Sequence, residues 1–292
     1  MTNPKISELF SRFIREKEIL DRCAPKTIDS YRDGWVAYVR YHGCTCEITE
    51  DGLKSFVIVA SQSGVKSGAV NSYARGLNSF CSWLYENHHI SKRLKVPLQP
   101  QGKRVLHTYS PEDVRKITAH RPTSNTEKRL MAILFVLIDT GARIDEALSL
   151  TRSAVDWDNL MIVLRGKGNK ERRVPIGLEC RRHLFRWLNT HNHDLAFCTR
   201  DGSKLRYDNL RRDFLALLDK LRIPKTEGCF HAFRRYFGKS YLRNGGNPLY
   251  LQRVFGHTTL DMTKRYVEAD DEDLQIAHRA LSPLDQIKRS KK

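Results

Sequence analysis

The chain has 292 residues, 40% of them hydrophobic and 29% charged, which suits two globular domains or one large one and excludes a wholly disordered polymer. Its 51 Lys and Arg against 33 Asp and Glu leave a formal charge of +18, divided as +5 through Lys103 and +13 beyond it, so both parts should attract a polyanion such as nucleic acid. A generally solubilising surface would give the same balance, and motifs must decide between the two. The apolar stretch Met131 to Ile138 is far short of the about 20 residues that span a bilayer, and the N-terminus lacks a basic region followed by an apolar run, so a cytoplasmic protein with no membrane partner is expected.

The first hundred residues carry four amphipathic patterns. Ile6, Leu9, Phe10, Phe13 and Ile14 recur at helical spacing, followed by Ile28, Tyr31, Trp35 and Tyr38 after Pro25. Leu53, Phe56, Val57 and Ala60 make a third stripe, and Tyr73, Leu77, Phe80, Trp83 and Leu84 a fourth, so a small helical bundle over residues 1–95 is predicted, its aromatics in the core. From Lys92 to His107, Pro, Gly and cations alternate without a sustained period, and 96–107 is read as a basic linker. Ser110-Pro111-Glu112-Asp113 then opens a second domain, 108–292, with a capping serine, proline at the first helical position and acids in the first turn; helix is expected from there through Ile138. Met161–Leu164 and Arg172–Ile176 flank Gly166-Lys167-Gly168-Asn169 as a hairpin or small antiparallel sheet, and helical periodicity resumes from Leu178 to Leu281. The fold class expected is mainly α with one small antiparallel β-sheet.

Seven cysteines, an odd number scattered through a long chain, are read as reduced thiols. Cys44 and Cys46, and His191 and His193 near Cys198, lack the paired spacing of a zinc site, so no metal is expected. There is also no Gly-x4-Gly-Lys-Ser/Thr loop for a nucleotide, and no cofactor is expected.

Several short motifs carry potential chemistry, each ordinary alone. Gly141 can turn the chain after the apolar run and put Arg143 at a helix start, where free amides and the dipole favour an anion; Glu146 could orient Arg143, although an ion pair at that spacing is equally commonplace. Lys167 in a hairpin turn could reach a groove as a proton donor or merely solubilise the loop. His231 and Arg234 share a helix face on which a phosphate could sit, though such a face is more often simply solvated. Gly256-His257 begins a segment that carries Tyr266, a residue type usually half-buried with a wet hydroxyl.

Taken in order, Arg143, Lys167, His231, Arg234, His257 and Tyr266 resemble the tyrosine recombinase, or phage integrase, family, particularly its compact Xer-like members. The resemblance covers nearly the whole chain and departs at Phe255, where leucine is common, and at Arg235, where histidine is common. It implies a helical core-binding domain followed by an α+β catalytic domain in which those six residues form the pocket, Tyr266 as nucleophile, with Glu146 supporting. It further implies site-specific cutting and rejoining of double-stranded DNA in a homotetramer, with or without a paralogous partner recombinase.

The chemistry is coherent with that resemblance. A phosphotyrosyl ester stores the broken bond without ATP, two arginines can stabilise the non-bridging oxygens, and Lys167 can protonate the departing 5′ oxygen. Residues Asp270 to Asp273 and the apolar positions after them, Leu274 to Leu281, suit a last helix that packs on its own domain or docks on a neighbouring protomer. A type IB topoisomerase-like enzyme and a non-catalytic DNA-binding regulator of the same fold are the alternatives.

Overall fold

The computed structural model describes residues 6–43, 48–101, 108–166 and 170–260 together with positions 263, 275, 278 and 282. The chain divides into two compact units, residues 1–105 and 106–292. The expectations placed on Cys44 and Cys46, the second half of the 96–107 linker, Lys167, Tyr266 and most of the last helix fall outside the described residues.

In the first unit, α1 (Ile6–Ile19), α2 (Pro25–His42), α3 (Glu50–Gln62) and α4 (Ser67–Glu86) bury the four stripes read from the sequence. Pro25 starts α2 at a position where no intrahelical N–H is needed, and the Thr49 side chain caps α3 by accepting from the Gly52 amide at 3.0 Å. Helices α2 and α4 cross with their backbones nearly touching. A Cβ on Gly34 would lie 2.7 Å from the Tyr73 carbonyl oxygen and one on Gly76 2.6 Å from that of Ser30, so only glycine fits at this crossing. Phe10, Phe13, Phe80 and Trp83 fill the core, and the Trp83 indole N–H donates to Glu16 Oε2 at 2.7 Å.

The second unit starts at the Ser110 capping box. Ser110 Oγ accepts from the Asp113 amide, and the Asp113 carboxylate accepts from the Ser110 amide. The helix expected to run unbroken to Ile138 is two helices, α5 (Pro111–Ala119) and α6 (Asn125–Thr140). Pro122 cannot donate a backbone hydrogen bond and restrains the residue before it, and Ser124 caps the new helix by accepting from the Glu127 amide at 3.1 Å. Every residue of α6 from Leu130 to Leu137 is buried, so this helix is the axis of the core. Then come α7 (Ile144–Ala147), a 3-10 turn over Arg152–Ala154, and an antiparallel sheet of β1 (Val155–Asp156), β2 (Met161–Arg165) and β3 (Glu171–Pro175) in that order. In the β2–β3 register, Ile162 faces Val174 and Leu164 faces Arg172. Helices α8 (Leu178–Leu188), α9 (Tyr207–Lys220), α10 (His231–Arg243) and α11 (Pro248–Phe255) complete the unit, α8, α9 and α10 packing against α6. Among the described residues no helix is long and apolar enough to cross a membrane.

Candidate active site

The site is built where α6 ends. Gly141 adopts φ +60° and stops the helix, its amide still donating to Leu137, and the chain re-enters helix at Ile144 with Arg143 at the N-cap. A side chain at 141 would be strained by that φ and would meet Phe255 Cε1 at 2.5 Å and Phe237 Cδ1 at 2.8 Å. The turn therefore sits directly against α10 and the end of α11.

Glu146, only 3% exposed, organises the turn. Its Oε2 accepts from the Arg143 amide at 2.7 Å and its Oε1 from Arg143 Nη1 at 2.9 Å. A second guanidinium, from Arg172 on β3, grips the same carboxylate with Nη1 on Oε1 at 2.8 Å and Nη2 on Oε2 at 2.7 Å. Burial alone would raise the Glu146 pKa, but the Arg172 hydrogen bonds, the Arg143 amide, the Arg172 charge and the Arg143 side-chain hydrogen bond reverse this and hold it at about 2. Arg143 itself remains 42% exposed, oriented by Glu146 and open to solvent.

Arg234 is almost fully buried on α10. Nη1 donates to the Gly141 carbonyl at 2.7 Å, Nη2 to the Phe255 carbonyl at 2.9 Å and to His257 Nε2 at 3.1 Å, and the guanidinium lies 3.9 Å from the centre of the Phe255 ring. Phe255, a departure from the expected leucine, thus stacks on the arginine at the centre of the site. A guanidinium can only donate, so His257 Nε2 accepts, and the network assigns the ring proton to Nδ1, 2.9 Å from the hydroxyl of buried Thr263.

His231 opens α10 and is exposed, its amide donating to the Gly228 carbonyl at 2.7 Å. Partial desolvation, then the charges of Arg234, Arg235 and Arg143, push its pKa below 6.5 and favour the neutral ring. Arg235, the second departure, is buried and donates through Nη2 to the Glu227 carbonyl, holding the turn that leads into His231.

The structure therefore gathers Arg143, Glu146, Arg234 and His257 through hydrogen bonds and sets His231 within their electrostatic reach. Lys167 and Tyr266 lie outside the described residues, but their described neighbours join the same cluster. A Cβ on Gly166 would lie 3.4 Å from Glu146 Oε1, and Thr263 bonds His257. Two residues of the network, Arg172 and Thr263, were not read from the sequence. The register offered a signal for the first, because Arg172 shares a strand face with buried Val174 and an inward arginine needs a buried partner. Nothing in the sequence alone singles out Thr263. Among the described residues no group of three or more His, Cys, Asp or Glu could hold a metal ion.

The arrangement is a cationic cluster that would attract an anion: the partly exposed Arg143 guanidinium stands two residues after the Gly141 carbonyl that buried Arg234 holds, and the His231 ring feels the charges of both arginines. The sequence profile of the Phage integrase family matches residues 108–273. Over 303 aligned residues the chain is 24% identical to tyrosine recombinase XerC of Salmonella typhi, covering 97% of this chain and 98% of that protein. It is 27% identical to tyrosine recombinase XerA of Thermococcus onnurineus, covering 92% and 95%. The solved structure of the Tn1549 transposon integrase with a circular intermediate DNA has the same fold, with a TM-score of 0.77 at 16% identity over 95% of this chain and 99% of that one. With more than half of its length matched by the family profile, the chain belongs to the phage integrase family of tyrosine recombinases.

Proposed function

We propose that this protein is a site-specific DNA recombinase that cuts and rejoins duplex DNA through a 3′-phosphotyrosyl intermediate, without metal or ATP. The observation that carries the reading is the gathering of Arg143, Arg234, His257 and His231, from the end of α6, from α10 and from beyond α11, into one cluster of hydrogen bonds and mutually felt positive charges. Double-stranded DNA as the partner is supported by the charge of +18 and by the DNA in the solved complex of similar fold.

In this reading the scissile phosphate lies against Arg143, with Arg234 behind it. The Tyr266 hydroxyl oxygen attacks phosphorus, the P–O5′ bond breaks, and the non-bridging oxygens that carry the charge are stabilised by the two guanidiniums. Neutral His231 accepts the tyrosine proton, and Lys167 gives a proton to the departing 5′ oxygen. A free phenol has a pKa near 10, so the cationic surroundings are also what favour the phenolate. His257 keeps Arg234 in place through Nε2; a hydrogen bond from that nitrogen to a phosphate oxygen would require it to take a proton and release Arg234. Attack by the 5′ hydroxyl of a second strand reverses every step, and joining two sites in this way calls for a tetramer.

The test is incubation with two copies of the cognate duplex in EDTA without ATP. Recombinant strands of conserved total length, absent in Tyr266→Phe while DNA binding persists, are expected. Supercoil relaxation without strand exchange would point instead to a topoisomerase, and binding without any cleavage to a regulator.

A further inference from the structure

We propose that Arg172 is a positioning residue for the reaction: through the buried Glu146 carboxylate it fixes the Arg143 guanidinium and binds the Arg143 turn to the segment that leads into His257. The inference rests on the reading of Arg143 as a phosphate-binding residue.

Three observations carry it. First, Arg172 makes a bidentate pair with Glu146 and sends Nε to the Val254 carbonyl at 2.8 Å, so one side chain on β3 holds both the turn after α6 and the last residues of α11. Second, its stem occupies the space beside the helix stop before His257. A Cβ on Gly256 would lie 3.1 Å from Arg172 Cδ. Third, stability alone does not explain the choice of an ion pair here. A buried ion pair seldom outperforms an apolar packing of equal volume, yet here a 3%-exposed carboxylate is shared between the 13%-exposed Arg172 and the 42%-exposed Arg143.

The charges explain the sharing. Glu146 alone would orient Arg143 but would also neutralise it, weakening its pull on an anion. Arg172 supplies the second positive charge, so the trio keeps one net positive charge and Arg143 is both fixed and cationic. A lysine at 172 would keep the charge but lose the planar two-point grip, whereas glutamine would keep a donor and lose the charge.

The experiment compares wild type, Arg172→Lys, Arg172→Gln and Arg143→Ala on a duplex whose cleavage position has been mapped with the wild-type protein. A second duplex carries a methylphosphonate at that position, in which a methyl group replaces one non-bridging oxygen and removes the charge Arg143 would balance. DNA binding is measured in parallel as the check on folding. Arg172→Lys should bind DNA as wild type does yet cleave the ordinary duplex about 10- to 100-fold more slowly, as sub-ångström misplacement of a reacting group does. On the methylphosphonate its deficit should shrink to within about threefold of wild type, as should that of Arg143→Ala, because the charge both serve is gone.

Equal deficits for Arg172→Lys on both duplexes, with Arg143→Ala rescued, would overturn the proposal. Wild-type cleavage by Arg172→Lys and Arg172→Gln would overturn it too. If both variants failed to fold and bind DNA, Arg172 would belong to the core and not to the reaction. Absence of rescue for Arg143→Ala would instead refute the underlying reading of that arginine, and this inference with it.

Discussion

Glu146→Gln probes the buried ionic centre of the second unit. The carboxylate is 3% exposed, accepts from two guanidiniums and one amide, and has its pKa lowered from 4.5 to about 2. At about 1.36 kcal/mol per pH unit that drop corresponds to about 3 kcal/mol of folding free energy. The value agrees with the about 3–5 kcal/mol lost when one partner of a buried ion pair is removed. Because the folded-state pKa is depressed, the contribution is fully present above 4.5 and is lost as pH falls through about 2. Glu146→Gln should therefore destabilise the second unit by about 3 kcal/mol at pH 7 and by about half as much at pH 3. Denaturant-dependent amide hydrogen exchange of Leu130 to Leu137, the buried stretch of α6, reports this unit without interference from the first. A difference below about 1 kcal/mol at pH 7, or the same difference at both pH values, would refute the assignment of Glu146 as an ionised, doubly paired anchor.

Three further outcomes follow from the site. Because partial desolvation and the charges of Arg234, Arg235 and Arg143 lower the His231 pKa from 6.5, the acid limb of wild-type cleavage should be centred below pH 6.5, where the folded protein also loses stability; an acid limb centred above 6.5, or one that survives in His231→Gln, would contradict this. Gly141→Ala should lower the melting temperature of the second unit, since the left-handed backbone costs about 1–2 kcal/mol and the contacts with Phe255 and Phe237 more; an unchanged melting temperature would refute the packing described. Thr263→Val removes the acceptor of the His257 Nδ1 proton and should slow cleavage about tenfold, with Thr263→Ser restoring it, as expected for a hydrogen bond of about 1–2 kcal/mol; equal rates in the two variants would show that the hydroxyl is irrelevant.

Periodicity carried most of the fold. The stripes of α1 to α4, the Ser110-Pro111 start and the alternation around 161–176 are local signals, and the structure realises each through local physics: caps, fixed φ and a half-buried sheet. The error at 120–124 was local as well, because apolar spacing on either side outweighed Pro122, which a strict reading of its missing N–H would have made a boundary. The motif residues could be proposed from the sequence because their order is itself a pattern. Arg172 and Thr263 were not, since their importance lies in partners 26 and 6 residues away that only the folded chain brings within hydrogen-bond distance. Phe255 and Arg235 show the complementary case: visible as departures, they gain a meaning only when the ring is seen stacked on Arg234 and the guanidinium bound to the Glu227 carbonyl.

The most direct test of the central claim is which DNA strand end becomes attached to the protein. A cognate duplex is labelled at either the 5′ or the 3′ end of the cleaved strand, incubated in EDTA without ATP, and resolved by denaturing electrophoresis. A 3′-phosphotyrosyl link predicts a protein adduct carrying only the 5′ label, a shortened 3′-labelled strand ending in a 5′ hydroxyl, and loss of both in Tyr266→Phe. An adduct on the 3′-labelled fragment, or an adduct that persists in Tyr266→Phe, would contradict the account.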